Sequence, residues 1–324
     1  KGAPSTDASV LEELSKDYEL PKIILKYREL EKIRSTYVDG LIPEVTDDGK
    51  IHTHFNLFGT ATGRLSSEKP NLQNIPNKTE LGQKIRDFFI SEPSKKFVIS
   101  DYSQIELRVL AHLSKDNDMT LILKNKDSDI HSETAARIFN TKLTDVSPEM
   151  RRKAKEVNFG LIYGMEAFGL SKSLNISQKE ASELISSYFS QFPKIKGFLD
   201  GVVDKAEQDT YTTTLLGRKR YIRELSSSNF QVKAAGRRIA MNAPIQGTAS
   251  DIMKIAMIRV SNKLSKIDGA NLLLQIHDEL IVETDEVHLK KVKEIVTKEM
   301  ESALTLDVPL FVNTKVSQSL ANFN

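Results

Sequence analysis

The sequence predicts an α+β protein whose sheet is assembled from separated segments of the chain. Short apolar runs typical of buried strands occur at residues 97–100, 272–283 and 310–316. Between the first two runs, residues 115–210 show helical periodicity throughout. Strands on both sides of this stretch indicate that a large helical insertion interrupts the sheet-forming sequence.

The elements before the first buried strand are mixed. Residues 8–37 carry apolar side chains at helical spacing, and residues 50–58 alternate as a half-buried strand does. Residues 59–79 are rich in Gly, Thr, Ser, Asn and Pro, so they predict an ordered loop. Helices are predicted over residues 80–90 and 104–113.

The second half of the chain returns to mixed structure. A β-rich stretch interrupted by Gly217 covers residues 211–221, and a helix follows over residues 229–260. Pro244 and Gly247 predict a break within this helix. The last elements are a hairpin at 272–283, a helix over 286–304 and a strand at 310–316.

Length and composition indicate a globular protein with room for two or three domains. The chain has 324 residues, of which 39% are hydrophobic and 28% charged. It has no Cys, which excludes disulfides and a thiolate zinc site. No apolar run approaches the roughly 20 residues that span a bilayer, so no membrane partner is expected.

The distribution of basic residues is more informative than the net charge of +2. Cations cluster at residues 151–155, 218–223 and 237–238. Any one cluster is more typical of a solvated helix face than of a binding site. Three clusters, each beside a polar or Gly-containing motif, favour a phosphate-backbone partner.

Two acidic residues lie at the tips of apolar runs. Asp101 follows one run and precedes a helix, and Asp278 lies in the turn of the predicted hairpin. A helix N-cap and a polar turn would explain them separately. However, the turn His277-Asp278-Glu279 lacks the Gly or Asn that short hairpins prefer. If the fold brings both aspartates together, they can hold two Mg²⁺ ions about 4 Å apart, the geometry of two-metal phosphoryl transfer.

A strip of four side chains at a period of four follows in the helical insertion. Two cations precede two aromatic residues, in the order Arg151, Lys155, Phe159, Tyr163. A solvated first half and a buried second half would explain the pattern structurally. The functional interpretation is that the cations bind a triphosphate and the aromatic rings stack on a base or sugar. No P-loop motif occurs that could bind the phosphates instead.

Four motifs resemble those of the family A DNA polymerases in order and spacing, up to about residue 309. They are Thr-Gly-Arg-Leu-Ser-Ser at 62–67 with Pro-Asn-Leu-Gln-Asn-Ile-Pro at 70–76, Asp-Tyr-Ser-Gln-Ile-Glu-Leu-Arg at 101–108, the segment 151–164, and Gln-Ile-His-Asp-Glu at 275–279. The resemblance implies a right-hand polymerase fold with an antiparallel-sheet palm, helical fingers and a partial helical thumb. The implied parts are a partial thumb at 1–40, palm at 41–112, fingers at 113–215 and palm at 216–324, without exonuclease domains.

The resemblance also implies roles for individual residues. Asp101 and Asp278 would bind two Mg²⁺ ions, which Mn²⁺ can replace, with the Tyr102 carbonyl as a further ligand. Glu279 would be an accessory carboxylate and Lys155 a general acid. The implied nucleotide-binding residues are Arg151, Lys155, Phe159, Tyr163, His131, Gln104 and Glu106, the last as a steric gate against a ribose 2′-OH. The implied DNA-binding residues are Arg64, Asn71, Gln73, Asn74, Arg238, Asn242, Gln246 and His277.

The resemblance therefore implies a template-directed DNA polymerase that adds dNTPs to a primer 3′-OH in replication or repair. The implied partners are primer-template DNA and dNTPs, and a cytoplasmic monomer is expected, with an organellar location left open. Two alternatives stay open: a single-subunit RNA polymerase and a catalytically inactive DNA-binding remnant. Glu106 disfavours the first, and the partial thumb motivates the second.

Overall fold

The computed structural model of the chain describes residues 4–77 and 79–321. The helices in these residues are α1 (Ala8–Leu14), α2 (Glu19–Ile33), α3 (Glu80–Asp87), α4 (Ile105–Ser114), α5 (Asn117–Lys124), α6 (Ile130–Ile138), α7 (Pro148–Ile162), α8 (Ala167–Leu174), α9 (Gln178–Gln191), α10 (Pro193–Asp209), α11 (Phe230–Leu264) and α12 (Leu289–Glu301). The strands are β1 (His54–Asn56), β2 (Ser66–Glu68), β3 (Lys95–Tyr102), β4 (Tyr211–Thr213), β5 (Lys219–Tyr221), β6 (Asn271–Ile276), β7 (Glu279–Asp285) and β8 (Val312–Ser317). Every helix in the described residues is too short or too polar to cross a bilayer.

The chain forms two compact units. The first contains the described residues of 1–57, 65–91 and 318–324, and it holds α1 to α3 with the hairpin of β1 and β2. The second contains residues 58–64 and 92–317 and holds all the other helices and strands. The finer division into a partial thumb, fingers and two palm segments stays a prediction.

The second unit is built on one antiparallel sheet of four strands, in the order β6, β7, β3, β8. The three predicted buried runs therefore meet in one sheet, although the helices α4 to α11 lie between β3 and β6 in the chain. In the register of this sheet, Asp101 lies opposite Glu279 of β7 and Asn313 of β8.

Side-chain alternation along β3 determines which way Asp101 points. The Tyr102 hydroxyl donates to the Met300 carbonyl of α12 at 2.8 Å, so Tyr102 faces that helix. Ser100, two residues earlier, is fully buried on the same face. Asp101 lies between them in sequence, so it projects from the opposite face of the sheet, where it is exposed.

Helix α11 runs without interruption, so the predicted break at Pro244 and Gly247 is wrong. A proline inside a helix costs about 3 kcal/mol through one lost hydrogen bond and a steric clash. Burial of apolar side chains along the helix, such as Ile252 at 0% exposure, offsets this cost. Gly247 is needed for close packing, because an added Cβ would lie 2.6 Å from Thr214 Cγ2.

The first unit contains more strand structure than the composition of residues 59–79 predicts. The polar strand β2 pairs with β1, which is shorter than the predicted strand at 50–58. Ser67 explains this result, because it is 3% exposed and its hydroxyl is hydrogen-bonded to Thr53 Oγ1 at 2.6 Å. A polar residue with buried partners does not show in the hydrophobic pattern.

The C-terminal segment has a packing partner that the sequence does not reveal. After β8, Leu320 N–H donates to the Phe89 carbonyl at 3.0 Å. The Arg86 Nε donates to the Leu320 carbonyl at 2.7 Å. The tail therefore packs at the end of α3, and residues 322–324 lie outside the described residues.

Candidate active site

The two acidic strand tips lie side by side. Tyr102 N–H donates to the Asp278 carbonyl at 3.1 Å, and Asp101 pairs in register with Glu279. Asp101 is not a helix cap, because Gln104 occupies the N-cap position of α4 with left-handed backbone, φ +54°. The alternative explanation of Asp101 as a helix N-cap is therefore wrong.

The turn that holds Asp278 depends on an unusual backbone conformation. His277 has φ +53°, the left-handed region that a Gly or Asn would favour in a short hairpin. The Gln275 side chain donates to the His277 carbonyl and supports this conformation. The turn therefore fixes Asp278 without the glycine that the sequence lacks.

The electrostatics of the aspartate pair favour a bound cation. Desolvation, together with the charges of Asp278 and Glu279, raises the pKa of Asp101 to about 7. Desolvation also raises the pKa of Asp278, although the charges of Arg64 and His277 oppose this shift. Neighbouring carboxylates that repel one another become more stable when a cation lies between them.

The donor set fits Mg²⁺ better than a metal that needs a complete protein cage. Within residues 4–77 and 79–321, no group of three or more His, Cys, Asp or Glu side chains could hold a metal. Mg²⁺ takes one or two carboxylates and completes its octahedron with water and substrate phosphates. Two aspartates and a backbone carbonyl are the residues that could take part in such a site.

A cleft of about 320 Å³ lies over the aspartates. Its lining includes eight residues that the sequence predicts as site residues and three that it does not. The cleft is lined by Arg64, Asp101, Tyr102, Ser103, Gln104, Ile105, Glu106, Phe159, Tyr163, Asp278 and Asn313. The structure therefore brings metal-binding, sugar-binding and base-binding candidates into one space.

Glu106 is the most constrained side chain in the cleft. It is 5% exposed, yet Arg64 Nη2 lies 2.8 Å from its Oε1 and the Tyr163 hydroxyl donates to its Oε2 at 2.9 Å. The Gln246 side chain also lies beside the carboxylate. Burial raises the pKa of Glu106, while Arg64, Tyr163 and Gln246 oppose that shift. A buried carboxylate with these partners is a rigid part of the wall.

Helix α7 presents the predicted strip of cations and aromatic rings. Its start is fixed by Ser147, whose hydroxyl accepts from the Met150 N–H at 3.2 Å, and by a proline at the first position. Arg151, Lys155 and Phe159 follow at successive turns, and Tyr163 directly follows the helix. In this arrangement the Arg151 Nε is 2.5 Å from Asp129 Oδ2.

His131 is buried behind this strip at 2% exposure. Burial, with the charges of Arg151 and Lys155, outweighs the attraction of Asp129 and lowers the pKa of His131 to about 4. Asn158 Nδ2 lies 3.1 Å from the ring Nδ1, and Gln104 Nε2 lies 3.4 Å from the ring Nε2. If Asn158 donates to Nδ1, the proton of the neutral ring is assigned to Nε2. His131 can therefore offer one N–H to a phosphate, but no charge at neutral pH.

Helix α11 carries three predicted DNA-binding residues at steps of four. Asn242 is 9% exposed, and its Nδ2 has no hydrogen-bond partner in the described residues. Buried polar groups without a partner are uncommon in folded proteins, and the role of Asn242 on DNA stays a prediction. Gln246 lies one turn later beside Glu106, and the exposed Arg238 packs against Gly164, where an added Cβ would lie 2.9 Å from Arg238 Cγ.

The remaining DNA-binding candidates are placed separately. Asn71, Gln73 and Asn74 belong to the first unit, at the short 3-10 turn Leu72–Asn74. Asn71 Oδ1 accepts from the Gln73 N–H at 3.0 Å and starts that turn. Their role on DNA stays a prediction, as does that of the exposed His277.

Sequence reasoning missed Asn313 and Ser103, which both line the cleft. Asn313 lies directly across from Asp101 because β8 pairs with β3. The predicted strand at 310–316 contains it, so a correct strand pairing would have found it. Ser103 lies within the motif at 101–108, but its residue type carries no separate signal.

A four-stranded antiparallel sheet places two neighbouring aspartates beside a helix of cations and aromatic rings, an arrangement compatible with two-metal phosphoryl transfer. Residues 1–322 match the family model described as DNA polymerase family A, and the chain belongs to this family. The predicted polymerase fold is confirmed by a solved structure, the "POL domain of Pol1 from M. smegmatis complex with DNA primer-template and dNTP". That structure has a TM-score of 0.94 and 42% identity, and covers 99% of this chain and 57% of its own.

Curated relatives agree with this placement. DNA polymerase I of Caldicellulosiruptor bescii is 48% identical over 313 residues, which are 96% of this chain and 37% of the relative. DNA polymerase I of Geobacillus stearothermophilus is 48% identical over 95% of this chain and 36% of the relative. The chain therefore spans little more than a third of the length of these relatives.

Proposed function

We propose that this chain is a template-directed DNA polymerase that adds dNTPs to a primer 3′-OH by nucleotidyl transfer. The observation that carries the proposal is the pair of aspartates at adjoining strand ends, in a cleft shared with Glu106, Phe159 and Tyr163. A polymerase needs these groups together, because metal, sugar and base must meet at one point. Membership of the family supports the same activity.

Asp101, Asp278 and the Tyr102 carbonyl would hold two Mg²⁺ ions. When bound, the ions lower the pKa of the primer 3′-OH and neutralise charge on the leaving pyrophosphate. Glu279, opposite Asp101 in the sheet, adds negative charge beside the pair. The protein's contribution is a rigid sheet that fixes both carboxylates before substrate arrives.

The α7 strip would bind the incoming nucleotide. Arg151 and Lys155 attract the triphosphate, and Lys155 donates a proton to the departing pyrophosphate. The neutral His131 offers a hydrogen bond from Nε2. Phe159, whose ring centroid is 5.5 Å from that of His131, packs on the sugar and base, and Tyr163 lies at the templating position.

The duplex would be held mainly through its backbone and minor groove. Arg64, Asn242 and Gln246 read minor-groove acceptors, which are similar in all base pairs and so test shape rather than sequence. Further contacts to DNA would come from Arg238, Asn71, Gln73, Asn74 and His277.

Primer extension tests the proposal directly. The chain is supplied with a primed template, Mg²⁺ and either dNTPs or rNTPs, and duplex binding is measured in parallel. We expect extension with dNTPs that depends on Mg²⁺. Equal use of rNTPs would instead identify an RNA polymerase, and binding without extension would identify a remnant.

Phe159→Tyr is expected to raise the incorporation of dideoxynucleotides relative to dNTPs by about tenfold. The ring lines the cleft beside the sugar position, and a new hydroxyl can replace the hydrogen bond that the missing 3′-OH would make. Termination ladders at fixed nucleotide ratios measure the effect. Phe230→Tyr, at a ring that is 83% exposed, is the control; equal ladders from both variants would refute the placement of Phe159.

Asp129→Asn is expected to lower the KM for dNTPs by about threefold, because Arg151 must exchange Asp129 for the triphosphate. Partial burial raises the pKa of Asp129, but hydrogen bonds from Arg151 and Ser132 outweigh it and hold the pKa at about 2. Asparagine caps α6 as well as aspartate does, so the variant removes charge and little else. Steady-state kinetics measure the change.

The matched control is Asp118→Asn, since Asp118 pairs with Arg137 at 2.9 Å on the same helical part of the chain. Its KM should equal that of the parent. A KM that is unchanged or higher in Asp129→Asn would show that the Asp129–Arg151 pair does not compete with substrate.

A further inference from the structure

Arg218 makes a set of contacts that the proposed mechanism does not use. It directly precedes β5, the return strand of the hairpin formed by β4 and β5. Its Nε donates to Asp251 Oδ1 at 3.0 Å, and its Nη2 donates to the Gly247 carbonyl at 2.8 Å. Asp251 is a well-shielded partner, with 12% of its side chain exposed. Arg218 therefore joins the hairpin to helix α11 at two fixed points.

A third segment rests on the same guanidinium. An added Cβ at Gly63 would overlap the Arg218 Cζ, so the Gly63 backbone lies directly against the guanidinium. Gly63 also has φ +79°, which disfavours any other residue. The Thr60 hydroxyl donates to the Arg64 carbonyl at 2.7 Å and closes residues 60–64 into a tight loop. Arg218 therefore supports the loop of residues 60–64 through its contact with Gly63.

The residue that leaves this loop is Arg64, which reaches into the cleft. Its Nη2 is 2.8 Å from Glu106 Oε1 and 4.0 Å from Asp278 Oδ1. The position of Arg64 therefore decides how firmly Glu106 is held, and Glu106 forms the wall beside the sugar. Gln246 directly precedes Gly247, whose carbonyl accepts from Arg218, and it lies beside the same carboxylate.

We propose that Arg218 is a positioning residue that sets the sugar selectivity of this site by fixing Arg64, and through it Glu106. The inference rests on the proposed function and deepens it. Only arginine can do this, because its planar fork contacts a carboxylate, a carbonyl and a peptide plane at once. Lysine keeps the positive charge, but it has no planar guanidinium group against which the Gly63 backbone can pack.

The first test is Arg218→Lys, assayed for kcat/KM with each rNTP and dNTP. We expect the preference for dNTPs to fall about tenfold, in keeping with the cost of small displacements near reacting groups. In an Arg64→Ala background, Arg218→Lys should cause no further loss of dNTP preference, because the proposed effect of Arg218 on Glu106 passes through the Arg64 side chain. Arg137→Lys is the matched control, since Arg137 is similarly exposed and pairs with Asp118 at 2.9 Å.

The second test does not depend on activity. Amide hydrogen exchange in residues 60–64 should quicken about tenfold in Arg218→Lys and stay unchanged in Arg137→Lys. Asp251→Asn, which keeps the guanidinium and weakens its anchor, should change both readouts in the same direction and provides the test if Arg218→Lys does not fold.

These outcomes distinguish the proposed polymerase function from the proposed role of Arg218. If the parent chain extends no primer but the exchange result holds, the proposed function is wrong and the support of Arg64 by Arg218 stands. If the parent extends a primer and Arg218→Lys keeps full dNTP preference, the inference is wrong. Additive effects of Arg218→Lys and Arg64→Ala would also overturn it, because they would show independent routes.

Discussion

Asp101→Ala is expected to reduce the single-turnover rate of primer extension by about a thousandfold, while duplex affinity changes by less than about twofold. Asp101 projects from the open face of the sheet and has Asp278 as its neighbour, so its loss removes one of the two predicted aspartate ligands. The backbone of β3 is unaffected because its hydrogen bonds to β7 and β8 do not involve this side chain. Rapid-quench extension and fluorescence anisotropy with labelled duplex measure the two quantities.

Asp285→Ala is the matched control for this prediction. Asp285 is an aspartate of the same sheet at the opposite end of β7, in register with Lys95. Its removal should leave the extension rate within about twofold of the parent. A loss of less than tenfold in Asp101→Ala would contradict the assignment of the aspartate pair as the catalytic centre.

The second large effect is expected from Glu106→Ala, which should improve rNTP use relative to dNTP use by about a hundredfold. Glu106 is held in the cleft wall by Arg64 and Tyr163. In the proposed binding mode its side chain would occupy the space that a ribose 2′-OH needs. Truncation opens that space. The rate with dNTPs should also fall, because Arg64 and Tyr163 lose their shared acceptor.

Competition assays that supply one rNTP against its dNTP measure the ratio. Glu207→Ala serves as the control, because Glu207 also accepts from an arginine, Arg237, at 2.7 Å, but on a surface helix. An unchanged ratio in Glu106→Ala would show that selectivity against ribose lies elsewhere in the cleft.

The parts of the fold that follow from local physics were predictable from the sequence. Apolar runs predicted β3 and the hairpin of β6 and β7, and period-four spacing predicted α7 with Arg151 and Phe159 on one strip. The continuity of α11 through Pro244 was not predictable, because its cost is offset by burial that only the assembled core supplies. The polar strand β2 was missed for a similar reason, since Ser67 is satisfied by tertiary hydrogen bonds.

The candidate site likewise contains features that were predictable from the sequence and features that were not. The strand-tip positions of Asp101 and Asp278 left their pairing open and the family resemblance implied it, and the structure brings the two residues together. The counter-ion of Arg151, the burial of His131 and the contacts of Arg218 were not predicted. Each depends on residues far apart in sequence whose types are common on any protein surface, so no pattern marks them.

The continuity of α11 has a consequence for how accurately the proposed polymerase selects nucleotides. A helix of 35 residues is about 50 Å long, and this one contacts α4 beside the cleft and α12 behind the sheet. Asn242 and Gln246 are proposed to contact the last base pair of the primer. They therefore lie on a single helix that also packs against α4 and α12. If the proposed function holds, we expect strain from a misshapen base pair to reach Glu106 through α11 and to slow the next nucleotide addition.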